Sequence, residues 1–317
     1  MLSRVADALY WMGRYLERAE NLTRLLLVTE DLATEIRGFN DKLAQEEWGE
    51  LLAIFPVELR TTPGNGSESA ALTYLSAFLA SPTNPYSVLY SMKKARDNAR
   101  AVREALTLEV FVTLNDAYRA LEAAGRRRIE DVPAFRDTLS ATHRDLLGIV
   151  GAIDHTLSRD HGWCFLKLGE SVERLHRAAV VLGVKLRSLG APGPHKSLPV
   201  YYTQWRSVLR GLSSLENYRK TYGARMEPHS VIHFLVFDPT APRSLRYGAS
   251  TVKSHLDAIS GGDELTPSGR VIGRIAARLR YDDMRVTTVD DAIPLVDEVA
   301  AEVAKTHDAI ELMYFGT

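Results

Sequence analysis

Cysteine is almost absent: Cys164 stands alone among 317 residues. A disulfide within the chain is thereby excluded, and a reducing compartment fits. An excess of one charge is lacking as well. With 39 basic and 40 acidic residues the formal net charge is −1, so no overall field favours nucleic acid. The one basic run, Arg126-Arg127-Arg128, reads as a solvated helix end. Long apolar runs are missing, since no stretch approaches the roughly 18 residues of a membrane span. The opening Met1-Leu2-Ser3-Arg4-Val5-Ala6-Asp7 carries charges where a secretory signal needs an apolar core. The expectation is a cytoplasmic protein without membrane or nucleic-acid partners. Gly-x-Gly-x-x-Gly, Gly-x-Ser-x-Gly, Cys-x-x-Cys and a glycine loop ending in Lys-Ser/Thr are all absent, which leaves no recognisable nucleotide site. His229 and His233 have the spacing of metal ligands but lack the glutamate of His-Glu-x-x-His, so no metal is expected.

What is present is a repetition. Gly13-Arg-Tyr-Leu-Glu17-Arg18 is echoed by Gly169-Glu-Ser-Val-Glu173-Arg174, 156 residues on. The echo continues in order. Trp48 and Leu52 recur as Trp205 and Leu209, and Phe78-Leu79 as Phe234-Leu235. Pro85-x-Ser87-x-x-Tyr90 recurs as Pro242-x-Ser244-x-x-Tyr247. The offset stays at 156 or 157, close to half the chain, far longer than a solenoid unit. The reading is a tandem duplication, 1–158 and 159–317, whose halves pack as one domain.

Periodicity within the halves is helical. Leu2, Val5, Leu9, Met12, Leu16, Leu22, Leu25, Leu26 and Leu32 follow spacings of three and four with drift, the signature of an amphipathic helix of about 35 residues ending near Gly38. Further helices are expected over 41–54 with Asp41 as cap, over 67–79 capped by Ser67 or Ser69, and over 86–106 and 108–124. Asp131 caps a helix with Pro133 in its tolerated first turn, running to about 157. In the second half helices are expected over 160–189, 201–222, 228–237, 242–259, 267–279 and 289–314. Thr61-Thr62-Pro63-Gly64-Asn65-Gly66 and Ala191-Pro192-Gly193-Pro194 read as loops. The run 231–237 is β-like, but no hairpin alternation pairs with it. The fold class is all-α, a multi-helix array around one long pair.

Three groups of residues are candidates for chemistry. On the first helix Arg14, Glu17 and Asn21 share a face, with Arg18 and Glu20 beside them. In the second copy Glu170 takes the Arg14 position, Glu173-Arg174 repeats the pair, and Arg177 replaces Asn21. The reversed order is complementary, so an Arg/Glu cluster is expected where the copies meet. It either fixes register or binds a ligand, because burying charges gives little stability by itself. Second, Arg96, Arg100 and Arg103 fall on one helical face and suit a phosphate or carboxylate. Third, Asp238 or Thr240 is expected to cap a helix whose first turn carries Arg243 and Ser244, an anion-favouring end. Cys164 lies between Trp163 and Phe165 and reads as a small buried hydrophobe rather than a nucleophile paired with His161.

The segment from Leu2 through Tyr10-Trp11-Met12-Gly13-Arg14 to Glu20-Asn21 resembles the opening of the alpha-E domain proteins, a bacterial family also catalogued as a domain of unknown function. The likeness extends through Ala95-Arg96-Asp97-Asn98-Ala99-Arg100, Leu168-Gly169-Glu170-Ser171-Val172-Glu173-Arg174 and Phe234 to Leu245, nearly the whole chain. The resemblance implies an all-helical protein encoded beside a circularly permuted ATP-grasp ligase and a transglutaminase-like protein, with ATP-dependent amide or peptide bond formation as the theme. Glu170 departs from the pattern, since a basic residue is usual after the second glycine. On this reading the chain is a binding partner of the ligase, with ATP and Mg held by the ligase and no cofactor here. The alternative is a catalytic transferase or ligase subunit using Glu17 or Glu173 as general base. Arg14, Arg18, Glu20, Asn21, Arg96, Arg100, Arg174, Arg243 and Ser244 would then hold an anionic substrate. Long amphipathic helices also allow a homo-oligomer.

Overall fold

The computed structural model describes residues 2–59, 62–64, 66–127, 131–191, 199–263, 265–282, 286 and 288–316. Among them are thirteen α-helices and no strand. Thr61 and Asn65 of the first expected loop, Arg128 of the basic run, and Pro192, Gly193 and Pro194 of the second loop lie outside the described residues. The packing falls into two compact units, Met1–Glu170 and Ser171–Thr317.

The first unit is built on α1 (Ser3–Arg37), with α2 (Asp41–Ile54), α3 (Ser67–Leu79), α4 (Val88–Ala101), α5 (Leu108–Arg126) and α6 (Val132–Thr156) following. It also takes the opening turns of α7 (His161–Gly190). α1 is more enclosed than a single apolar stripe implies. Of its 35 residues 23 are buried, because α2, α3, α4 and α6 all pack on it. Leu9, Met12, Leu22 and Leu26 fill this core with Trp48, Phe55 and Phe78. α6 runs antiparallel to α1: Glu20 meets His143, whereas Glu30, further along α1, meets the earlier Arg136.

Two glycines make a very close helix approach in the unit. α1 and the start of α7 cross antiparallel so tightly that a Cβ on Gly13 would lie 2.1 Å from the Leu166 carbonyl oxygen. A Cβ on Gly169 would lie 1.9 Å from the Tyr10 carbonyl oxygen. The contact is reciprocal, since each glycine meets the carbonyl three residues before the other. No other residue type fits there without moving a backbone.

In the second unit the rest of α7 is followed by α8 (Pro199–Gly211), α9 (Leu215–Tyr222), α10 (Pro228–Phe237), α11 (Leu245–Ser260), α12 (Pro267–Tyr281) and α13 (Val289–Ile310). The β-like run forms α10, with six of its ten residues buried, because α8, α9, α11, α12 and α13 surround it. Tertiary burial overrides the weak helix preference of Val231, Ile232 and Val236. Arg274 and Arg278 of α12 pair with Glu302 and Glu298 of α13, and Arg187 of α7 with Asp297.

Several ends differ from the expectations. Asn40 caps α2, its Oδ1 accepting from Leu43 N at 3.0 Å. The neighbouring Asp41 instead accepts from Ser67 N and Oγ at the start of α3, so neither Ser67 nor Ser69 caps α3; Gly66 does, at φ 91°. α4 is shorter than 86–106, and a separate 3-10 turn, Arg103–Ala105, follows it. The expected helix over 201–222 is two. Ser213 adopts φ 48°, with Ser214 N donating to Leu209 O and Ser213 N to Arg210 O, a helix stop that ordinarily uses glycine. The last turn, Glu311–Phe315, is π-helical.

Candidate functional site

Most buried charges of the first unit lie along α1, with Glu47 of α2 and Glu170 of α7 buried besides. Arg14, Glu17, Glu20, Asn21, Arg24 and Glu30 are all buried on one helix. Charged groups in a core are tolerated only when paired and hydrogen-bonded. Glu20 shows how. Its two oxygens accept from Arg24 Nε at 3.0 Å and Nη2 at 3.2 Å, and Oε1 also meets His143 Nε2 at 3.2 Å. This fork is one helical turn deep and is anchored across to α6. The Arg14 guanidinium lies over the Trp11 ring at 4.9 Å and Tyr10 at 5.9 Å. Arg18 is half-buried over Tyr15 at 5.2 Å. Glu17 is 4% exposed. Asn21 is fully enclosed, and neither atom of its amide has a hydrogen-bond partner among the described residues. Glu170 accepts from Lys167 Nζ at 2.6 Å.

In the second unit Glu173 is 0% exposed and accepts from Arg177 Nε at 3.0 Å. Arg174 is half-buried. The i,i+4 spacing that joins Glu20 to Arg24 therefore also joins Glu173 to Arg177, and both carboxylates are committed to a guanidinium of their own helix.

The three α4-region arginines do not converge. Arg96 donates from Nε to Asn115 Oδ1 at 2.8 Å and lies over Tyr118 at 4.8 Å. Arg103 donates to Leu106 O at 3.1 Å and covers Phe111, while Arg100 is exposed. Burial, then the hydrogen bond to Glu122, pushes the Tyr118 hydroxyl above its ordinary pKa. The same bond holds Glu122 below the usual carboxylate range. Neither Asp238 nor Thr240 caps α11. Ser244 does, accepting from Tyr247 N at 3.1 Å, and the half-buried Arg243 precedes the helix rather than sitting in its first turn. Asp238 turns the preceding loop by accepting from Thr240 N and Ala241 N.

His233 shares a hydrogen bond with Tyr222 at 3.1 Å and stacks near His229. Among the described residues no group of three or more His, Cys, Asp and Glu is placed to hold a metal. Burial, and then the Asp160 carboxylate, raise the pKa of the half-buried Cys164 thiol, which disfavours the reactive thiolate. No described helix is long and apolar enough to cross a membrane. Two contributors escaped sequence reasoning, Arg24 and His143. The first had a signal in its i,i+4 spacing from Glu20; the second, on another helix, had none.

An all-helical domain with glutamate–arginine pairs buried along its long helices defines the class of protein. The chain belongs to the Alpha-E family, described as a predicted alpha-helical domain with a conserved ER motif, which matches residues 1–315. Glu17-Arg18 and Glu173-Arg174 are its two Glu-Arg dipeptides. It is similar to the uncharacterized proteins Mb2597 of Mycobacterium bovis and Rv2567 of Mycobacterium tuberculosis, each 25% identical over 319 residues. The match covers 97% of this chain but 35% of those proteins, so the chain spans about a third of their length. No solved structure matches it.

Proposed function

We propose that this chain is a non-catalytic binding partner of a circularly permuted ATP-grasp ligase that forms amide or peptide bonds. ATP and Mg are held by the ligase, and a transglutaminase-like protein belongs to the same system. The observation that carries the reading is that the region similar to this chain makes up only 35% of the mycobacterial relatives, so each joins it to further sequence. Domains fused in one polypeptide commonly work on one another. The closed setting of Glu17 and Glu173 supports a framework role over the alternative of a catalytic subunit, because a general base must reach its substrate within hydrogen-bond distance. Co-expression of the tagged chain with the ATP-grasp protein of the same genome tests it. Co-elution at fixed stoichiometry with a change in ligase turnover is expected; separate elution with unchanged turnover would overturn it.

A duplicated origin of the two halves belongs to the same proposal and is supported helix by helix. α4 opens at Val88 and α11 at Leu245, and α6 opens at Val132 and α13 at Val289, in both cases 157 residues apart. The capping geometry recurs too. Ser87 Oγ accepts from Tyr90 N at 3.0 Å and donates to Ser81 O, as Ser244 Oγ accepts from Tyr247 N at 3.1 Å and donates to Asp238 O. Trp48 and Trp205 are both buried. Among the described residues α9 has no counterpart.

A further inference from the structure

A cavity of about 580 Å³ opens in the first unit between α3, the 57–59 segment that follows α2, and the loop after α3. Ligand sites span roughly 300–1,000 Å³. Val57, Leu59, Leu72 and Ala77 supply apolar wall, and Glu58 is the charged residue among those that line it. Asn84, at its edge, is spent inward: its side-chain amide donates to Ala77 O at 2.9 Å and accepts from Tyr86 N at 2.9 Å. The 57–59 segment is strand-like. Pro56 favours an extended residue before it, and Phe55 has φ −129° and ψ 86°. Val57 and Leu59 are half-buried while Glu58 between them is exposed, the alternation of a strand. Yet among the described residues no backbone N–H or C=O of Val57, Glu58 or Leu59 has a hydrogen-bond partner. An unpaired extended edge is a template for another extended chain.

The second unit covers the matching face of its own helix. Ala77-Phe78-Leu79 of α3 answers to His233-Phe234-Leu235 of α10. There Tyr222 of α9 lies edge-on to Phe234, ring centres 6.2 Å apart, and its hydroxyl shares a hydrogen bond with His233 Nδ1 at 3.1 Å. Among the described residues the first unit has no such helix between α2 and α3, and Ala77 lines the cavity instead. The small alanine leaves room for a ring where the second half places its own tyrosine.

We infer that this groove binds an extended peptide of a partner protein. The peptide backbone pairs with the 57–59 edge, and one aromatic side chain lies against Ala77 and Leu72. In such pairing the main chain supplies affinity and the side-chain pocket supplies specificity. Glu58 at the edge makes the peptide neutral or basic. The aromatic choice rests on the duplication reading, whereas the cavity and its unpaired edge do not. The test titrates the isolated chain into a fluorescein-labelled Lys-Val-Tyr-Val-Thr amide and follows fluorescence polarisation. Saturable binding with a Kd of about 1 mM or tighter is expected. Replacing the peptide's tyrosine by alanine should weaken it by about tenfold or more. Because alternate amides of a strand point to opposite sides, N-methylating one alternate set should abolish binding and the other should be tolerated. Ser76→Trp, at an exposed position of α3 that lines the cavity, should block the groove with helix content unchanged by circular dichroism. No ligase takes part, so the outcome is separate from co-elution with the ligase. No saturable binding, equal binding of the alanine peptide, equal effects of the two methylations, or undiminished binding by folded Ser76→Trp would overturn the proposal.

Discussion

Replacing Gly13 with alanine pits two opposing effects against each other, and the sign of the outcome is diagnostic. In a helix interior alanine is favoured over glycine by about 1 kcal/mol. At Gly13 the new methyl would sit 2.1 Å from the Leu166 oxygen, and at Gly169 1.9 Å from the Tyr10 oxygen. An ordinary carbon–oxygen contact is roughly 3.3 Å, so α1 and α7 must part by more than an ångström. Both oxygens are backbone atoms, which leaves no side chain to swing away. Overpacking of this kind costs about 1–3 kcal/mol, enough to outweigh the propensity gain. Urea unfolding monitored by circular dichroism should show Gly13→Ala and Gly169→Ala destabilised by up to about 2 kcal/mol, the overpacking cost less the propensity gain. Gly151→Ala is the control. It lies within α6 with open space at its Cβ, so it should be stabilised by about 0.5–1 kcal/mol. The two glycines share one crossing, so the double variant should lose less than the summed single losses. Stabilisation of Gly13→Ala by the same amount as Gly151→Ala would refute the close crossing.

Ser87→Ala and Ser244→Ala should each cost about 1 kcal/mol by thermal melting, and a marked inequality would count against equivalent caps. Glu20→Leu strands the buried Arg24 and should cost about 3–5 kcal/mol. Glu20→Leu with Arg24→Met should recover most of that, whereas no recovery in chemical denaturation would show that the pair is not the reason for the loss. Asp41 has its pKa lowered first by the Ser67 hydroxyl and then by the Ser67 amide. A depressed folded pKa gives stability that is present above the unfolded value near 4 and lost as pH falls through the folded one. Asp41→Ala should therefore flatten the stability profile below about pH 4, and an unchanged acid limb would contradict the contact.

Much of the helical order was legible because periodicity and caps are local. Asp131 with Pro133 marked the start of α6, and Gly38 the end of α1. Asn40 and Asp41 are adjacent, and sequence could not tell which one turned inward; the choice depends on Ser67, 26 residues away. The break at Ser213 lacked its usual glycine, so it read as continuous helix. At the site, the Glu-Arg repetition drew the eye to Glu17 and Glu173, whose burial the i,i+4 pattern does not report. The three α4-region arginines share a helical face on paper, yet Asn115, Tyr118, Phe111 and Leu106 draw two of them aside. Only packing between helices decides such competition.

Amide formation by the reconstituted ATP-grasp ligase, measured with this chain carrying Glu17→Gln, tests the central claim most directly. With folding and association unchanged, turnover equal to that with the unaltered chain is predicted. Loss of turnover by a variant that still folds and still binds the ligase would contradict the account and place Glu17 in the chemistry.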